Sequence, residues 1–314
     1  QPPALAADRR KCTLCSWRKS CSSVAAADGH LSEVSGIGAK RLYMLQELGI
    51  HGLNDLASAN PERLAVQMER FGEQHGDVAG ALVAQAIAQR DGLVERLDST
   101  LALPELQRAP GVLLYDIESD PDERHDFLHG FLRLPRQSDG GWDLAAATYH
   151  PLLVLAEHGE QRSWLRLQSL LSRYEGWPIL HYGETETLSL RRLAQRQGAS
   201  DAQLRRLKRS LIDVHARIRS HWRLPLSSYG LKSVAAWRGF RWSQSGVDGA
   251  RALLWWRHWV GEGPKRRGSR HGLAWIFRYN QDDCRATWAV AEWLLKEDDL
   301  LNTAQRLDQL TAGR

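Results

Sequence analysis

GVLLYDIESD, residues 111–120, decides how this chain is read. Gly111–Tyr115 has the apolar run of a buried strand, and Asp116 and Glu118 follow with one apolar residue between them. Strand side chains alternate, so the two carboxylates share a face while Ile117 points to the other. Two like charges side by side repel, and desolvating either one alone costs several kcal/mol. A divalent cation removes that cost, and magnesium or manganese prefers carboxylate oxygens. A lone Asp-x-Glu can also mark a strand running out into solvent, so a site requires further acids elsewhere in the chain.

Working outward, the spacing predicts strands over 126–134 and 142–149 in meander order after 111–117, a helix over 160–174, a strand at 177–182 and a helix over 186–197. Further helical patterns cover 201–222, 230–237, 247–260 and 271–296. Strands first and helices after imply an α/β or α+β domain of about 200 residues. Upstream, residues 31–101 read as helical, and LDSTLALPELQRAP reads as a linker punctuated by Pro104 and Pro110.

The 314 residues suffice for two domains, and no apolar stretch reaches membrane-spanning length. No signal-peptide pattern opens the chain, and its start at Gln1 leads us to expect a fragment or processed product. The net charge of +5 suits a polyanionic partner. Only 7 of the 42 basic residues are Lys; Arg gives bidentate phosphate contacts, and codon bias explains the excess equally well. Four Cys, three of them near the start, fit a reducing compartment and a metal cluster better than a disulfide framework. Most of the thirteen Trp belong in cores or interfaces. The Gly-rich basic stretch GEGPKRRGSRHG at 261–272 reads as a solvated connection.

The further acids lie in two places. In FRYNQDDCRATWAVAEWLL (277–295), Tyr279 and Asp283 are one helical turn apart and share a face. Asp282 points roughly 100° away. Ala286, Val290 and Trp293 continue the Asp283 stripe inward. In WPILHYGETETLSLRRLA (177–194), a short strand ends at His181–Tyr182 and a helix starts near Thr185. Glu186 lies on the stripe of Leu190 and Leu193, hence inward; Glu184 is its rival. Carboxylates at a helix start are also favoured by the helix dipole alone.

Asp-x-Glu on a first strand, His-x4-acid after a later strand and Tyr-x3-Asp on a final helix together resemble the DEDD-type RNase H-like 3′→5′ exonucleases, tyrosine subtype, over roughly residues 111–298. The resemblance implies an RNase H-like α/β fold, a mixed sheet flanked by helices. It also implies two Mg2+ or Mn2+ held by Asp116, Glu118, Glu186 and Asp283, and Tyr279 acting on the attacking water. The segment HYGETE departs from the usual pattern, with Glu in place of the common Asp and Tyr182 in place of Asn. In LIDVHARIR…LPLSSYGLKSVA, the resemblance makes Asp213 either a structural carboxylate or one lying just outside the metal ligands, and Lys232 a phosphate contact.

The N-terminal third carries LSEVSGIGAKRLYMLQELGIHGLNDLASANPERLA, a short helix, Gly-Ile-Gly turn, helix, second Gly turn and helix. It resembles a helix–hairpin–helix module, a small all-α binder of DNA backbone; Gly36, Gly38, Lys40 and Arg41 would meet phosphates there. Cys12, Cys15 and Cys21 resemble the tail of the iron–sulfur motif of RecB-like nucleases. A cluster would need a further upstream Cys, and zinc completed by His30 is the weaker alternative. Cys284 reads as a core thiol. The whole resembles the last part of a bacterial RecB-like nuclease family: a cysteine-containing tail at 1–30, a hairpin region at 31–105 and an exonuclease domain at 106–314. The expected partner is nucleic acid, DNA ahead of RNA, without a membrane, alongside an upstream nuclease domain or repair proteins, in the bacterial cytoplasm at the nucleoid. The alternatives are an exoribonuclease and a non-catalytic binding module of a larger nuclease.

Overall fold

The computed structural model of the chain describes residues 5, 15, 17–155, 159–262 and 269–312. Cys12 and residues 263–268 of the basic stretch therefore lie outside the described residues. The chain divides into two compact units. One comprises the residues up to Ser99 with Arg219–Val234, the other Thr100–Ile218 with the residues from Ala235 on.

The first unit contains α1 (Arg18–Ala27), a 3-10 turn at Leu31–Glu33, α2 (Ala39–Glu47), α3 (Leu53–Ala57), α4 (Pro61–Met68) and α5 (Ala79–Asp91). Leu31, Leu45, Leu56, Leu64 and Met68 are almost fully enclosed and form its core with Leu82 and Val83. The chain turns into α2 at Gly36, whose φ of +91° disfavours any other residue. Asn60 starts α4 by accepting a hydrogen bond from the Arg63 N–H at 2.8 Å, with Pro61 at the first helical position. Arg219–Val234, expected within the 106–314 stretch, packs here. The Gln85 amide donates to the Leu224 carbonyl at 2.9 Å, and the Tyr229 hydroxyl donates to Gln85 at 3.1 Å. Trp222–Arg223 pairs antiparallel with Glu95–Arg96.

In the second unit, β1 (Gly111–Asp120), β2 (His125–Pro135) and β3 (Thr148–Leu153) form an antiparallel meander. β4 (Ile179–His181) and β5 (Leu211–Asp213) run parallel to β1, giving the order β3-β2-β1-β4-β5. β1 is central, and Val112–Tyr115 are fully buried. Each such large apolar side chain contributes about 1.5–3 kcal/mol, as burial usually does. α6 (Gly159–Arg173), α7 (Glu184–Arg196), α8 (Asp201–Ser210), α9 (Val214–His221), α10 (Leu231–Trp237), α11 (Gly249–Glu262) and α12 (Ser269–Ala312) complete the elements. Trp164, Leu167, Leu190 and Leu193 of α6 and α7 pack with Tyr115 and Phe131. Arg257 of α11 forks onto Asp120 at the end of β1, at 2.8 and 2.6 Å. No helix among the described residues is long and apolar enough to cross a membrane.

Three expected elements differ. The third strand lies at Thr148–Leu153 rather than 142–149, because Asp139 and Asp143 accept backbone N–H groups of Gly141, Ala145 and Ala146 and fix a loop there. Pro151 is tolerated in β3 because that strand is the sheet edge. The pattern at 201–222 is two helices around β5, since Asp213 accepts from the N–H of His215 at 2.9 Å and starts α9 afresh. The last helix runs on to Ala312.

Candidate metal centre

β1 pairs with β4 only at Leu113 and Leu114, so the two parallel strands part just before Asp116. That parting, at the carboxyl ends of parallel strands, is where an α/β sheet opens a crevice. Asp116 and Glu118 stand there, and α12 brings Asp283 to them. One carboxylate oxygen of each lies within 4.8 Å of the others. This is the one such group of His, Cys, Asp or Glu among the described residues; Cys15, Cys21 and His30 form none. Cys15 is exposed, Cys21 half-buried and Cys284 buried with a free thiol. The His30 Nδ1 is engaged by Ser32.

Asp116 and Asp283 are each held by a hydrogen-bond donor. The Asn280 amide donates to Asp116 Oδ2 at 2.7 Å, and the Tyr149 hydroxyl donates to Asn280 Oδ1 at 2.7 Å. The Trp242 indole N–H donates to Asp283 Oδ1 at 2.6 Å. Asp282, pointing elsewhere, accepts from the N–H and hydroxyl of Ser243 at 2.8 and 2.7 Å. Tyr149, Trp242 and Asn280 escape the motif reading. Trp242 sits in a polar loop with no periodicity, whereas Gly130 in mid-strand signals a close approach of the kind Asn280 makes.

Tyr279 is buried one turn before Asp283 and hydrogen-bonds to it. Burial first, then the charges of Asp283, Glu118 and Asp116, push its phenol far above the usual range, so it stays protonated. Glu186 is buried in the first turn of α7, while Glu184 is exposed. Glu186 stands outside the group of three, though it feels the charge of Asp283. Burial raises its pKa to about 7, helped by Asp213 and Asp283, and its Oε2 is enclosed without a hydrogen-bond partner.

The turn presenting Glu186 is braced from three sides. Asp213 accepts from the Gly183 N–H at 2.9 Å, with Gly183 at φ +110°. His181 joins its Nδ1 to the Gly183 carbonyl at 2.8 Å and its Nε2 to the Thr187 hydroxyl at 3.0 Å. This fits a neutral ring that donates from Nδ1 and accepts at Nε2. Lys232 is exposed near the start of α10; Gly38 and Lys40 are exposed and Arg41 half-exposed in the first unit.

A three-stranded meander extended by two parallel strands, with carboxylates at the central strand and on the last helix, defines an RNase H-like α/β domain, a nuclease-type fold. A family model of the RNase H superfamily matches residues 113–295, more than half of the chain, and the chain belongs to that superfamily. No curated protein and no solved structure matches the chain.

Proposed function

We propose that this chain is a divalent-metal-dependent 3′→5′ exonuclease that hydrolyses phosphodiester bonds of DNA. The observation that carries the reading is the convergence of Asp116, Glu118 and Asp283, with Tyr279 one turn from Asp283. The donor set is all carboxylate oxygen, which suits magnesium or manganese rather than a softer ion. Glu186, whose Oε2 is enclosed without a hydrogen-bond partner, would supply a fourth oxygen. Asp116, Glu118, Asp283 and Glu186 would hold the ions. Two such ions, when bound, supply an activated water and charge relief for the leaving oxygen.

The protein's own groups set the geometry. Asn280 and Trp242 each fix one carboxylate oxygen, of Asp116 and Asp283 respectively. Tyr279, one turn from Asp283, would orient the attacking water or take its proton. The helical region around Gly36, Gly38, Lys40 and Arg41, with the order of a helix–hairpin–helix module, would hold DNA backbone without regard to sequence. The net charge of +5 supports a polyanionic substrate.

The test is release of nucleotides from 3′-labelled and 5′-labelled DNA and RNA strands with manganese, by the unaltered chain and by Asp283→Asn. Release from the 3′ end of DNA, lost in the variant, is the expected result. Undiminished hydrolysis by Asp283→Asn overturns the metal-centre reading, and preference for RNA moves the substrate to that class.

A further inference from the structure

A second charged feature lies on the other face of the sheet. α6 turns Trp164, Leu167 and Leu170 into the core. Its outer stripe holds Arg166, Ser169 and Arg173, spaced by three and four residues and hence on one face. That stripe and edge strand β3 line an open cleft with Tyr149, His150 and Pro151, and among the described residues no carboxylate lines it. Arg133, on β2, adds a guanidinium behind it, stacked over Tyr174 at 5.6 Å and Trp177 at 5.7 Å. The His150 Nε2 and Arg133 Nε are enclosed without hydrogen-bond partners. Burial, then the charges of Arg173 and Arg133, hold His150 below its usual pKa, which reports a positive field in the cleft.

β3 joins this cleft to the metal centre. Consecutive residues of a strand point to opposite faces. Tyr149 reaches through Asn280 to Asp116, and His150 faces the α6 cleft. Among the described residues the edge strand pairs with no strand on its outer side, so a chain lying over it meets both. Arg166 and Arg173 are about 10 Å apart along the helix axis, wider than a single phosphate ion and suited to an extended polyanion.

We propose that Arg166, Ser169 and Arg173, with His150 beneath them, bind backbone phosphate of the nucleic-acid strand away from the scissile bond, after it has passed over edge strand β3. This rests on the nuclease reading above. The cleft then sets how much of a strand the protein grips beyond its terminal nucleotides.

The experiment measures binding of a fluorescein-labelled single-stranded oligonucleotide to the full chain carrying Asp116→Asn, which holds the strand without cutting it. The cleft variant adds Arg166→Ala and Arg173→Ala. A charge-matched control adds Arg205→Ala and Arg209→Ala, both on α8, exposed and outside the cleft lining. The cleft variant should bind about tenfold more weakly, with the slope of log affinity against log salt reduced by about 1 to 2, as loss of two phosphate contacts requires. The control should stay within about twofold, as for removal of charges that touch no phosphate. Should the Ala variant melt early, Arg166→Gln with Arg173→Gln repeats the test with longer side chains.

Equal losses in cleft variant and control, or no loss in the cleft variant, overturn the proposal while leaving the nuclease reading in place. Displacement of the oligonucleotide by millimolar inorganic phosphate, acting through Arg166 and Arg173, would instead mark a free-phosphate pocket and also overturn it. A parent chain that neither binds the oligonucleotide nor, with Asp116 restored, hydrolyses it would sink both readings together.

Discussion

Asn280 reaches Asp116 at 2.7 Å across a position where β2 has no side chain. Gly130 stands opposite Asp116 in the sheet register, and a Cβ on it would fall 1.6 Å from Asn280 Oδ1 and 2.8 Å from the Tyr149 hydroxyl. The glycine is what lets α12 lie this close to the strand that carries the first acid. Gly130→Ala should therefore displace Asn280, release Asp116 and abolish metal-dependent hydrolysis. The forced shift should also lower stability by about 1–3 kcal/mol, the usual range for overpacking a core. A thermal melt and a manganese-dependent assay on one preparation check both. Retained activity would mean that Asn280 does not set the position of Asp116.

Trp242 supplies the corresponding restraint on Asp283. Trp242→Phe keeps the ring and removes the indole donor. Apparent manganese affinity should fall by about 10- to 100-fold, as for other outer partners of metal ligands. Hydrolysis titrated against manganese should shift to higher concentration and recover at saturation; an unchanged titration would make the indole contact incidental.

Glu186 and Glu184 differ by two residues and lie on different sides of α7. Buried Glu186, with an unpartnered oxygen, should be needed: Glu186→Gln should lose hydrolysis, and Glu184→Gln should stay near the unaltered chain. In the metal-free protein, Glu186→Gln should also stabilise. The carboxyl, raised to about 7 by burial, resists ionisation that the unfolded chain allows at neutral pH. Activity lost with Glu184 and kept without Glu186 would place the second motif two residues earlier.

His129 gives an acid-side signature independent of the metal centre. Burial pushes its pKa down to about 4, and its Nδ1 meets the Tyr115 hydroxyl at 2.8 Å. A folded-state pKa below the unfolded value means stability that is fully present above about pH 6.5 and lost as pH falls towards 4. Relative to His129→Gln, the unaltered chain should lose on the order of 3 kcal/mol between pH 7 and pH 4. Urea melts of both proteins at several pH values measure the difference, and a flat difference would mean that His129 titrates normally.

The Asp-x-Glu strand, the Tyr-x3-Asp turn and the inward Glu186 were legible because each sits on an apolar period that fixes its direction. β5 was not. Three residues between two good helical patterns carry too little periodicity, and only pairing with Ile179–His181 makes Leu211–Asp213 a strand. Trp242 and Tyr149 were hidden for a related reason: a loop and an edge strand carry no stripe that points a side chain at the centre. The packing of Arg219–Val234 with the first unit was equally invisible, since it depends on Gln85 meeting Leu224 across a long sequence separation.

That packing changes how the proposed DNA-binding role of the helical region must be tested. Deleting the first 105 residues would strip Arg219–Val234 of Gln85 and of its strand partner Glu95–Arg96. Lost binding in such a truncation would report misfolding as readily as a lost contact. Two glycines give a cleaner comparison. Gly36 has a φ of +91°, so Gly36→Ala strains the turn and should lower the melting temperature with binding. Gly38 has a φ of −100°, and a Cβ there meets nothing within 4 Å. The fold alone gives no reason for glycine at 38, beyond the few tenths of a kcal/mol by which it suits a helix start. If backbone N–H groups at the start of α2 receive a phosphate, that open space is where the phosphate sits. Gly38→Ala should then leave the melting temperature unchanged and weaken binding to long duplex DNA several-fold, a steric loss that persists at every salt concentration. Lys40→Ala should weaken the same binding mainly at low salt, reducing the salt slope by about 1 through one lost phosphate contact. Unchanged affinity in both variants would assign the Gly-Ile-Gly turn to packing within its own unit and take the DNA contact away from it.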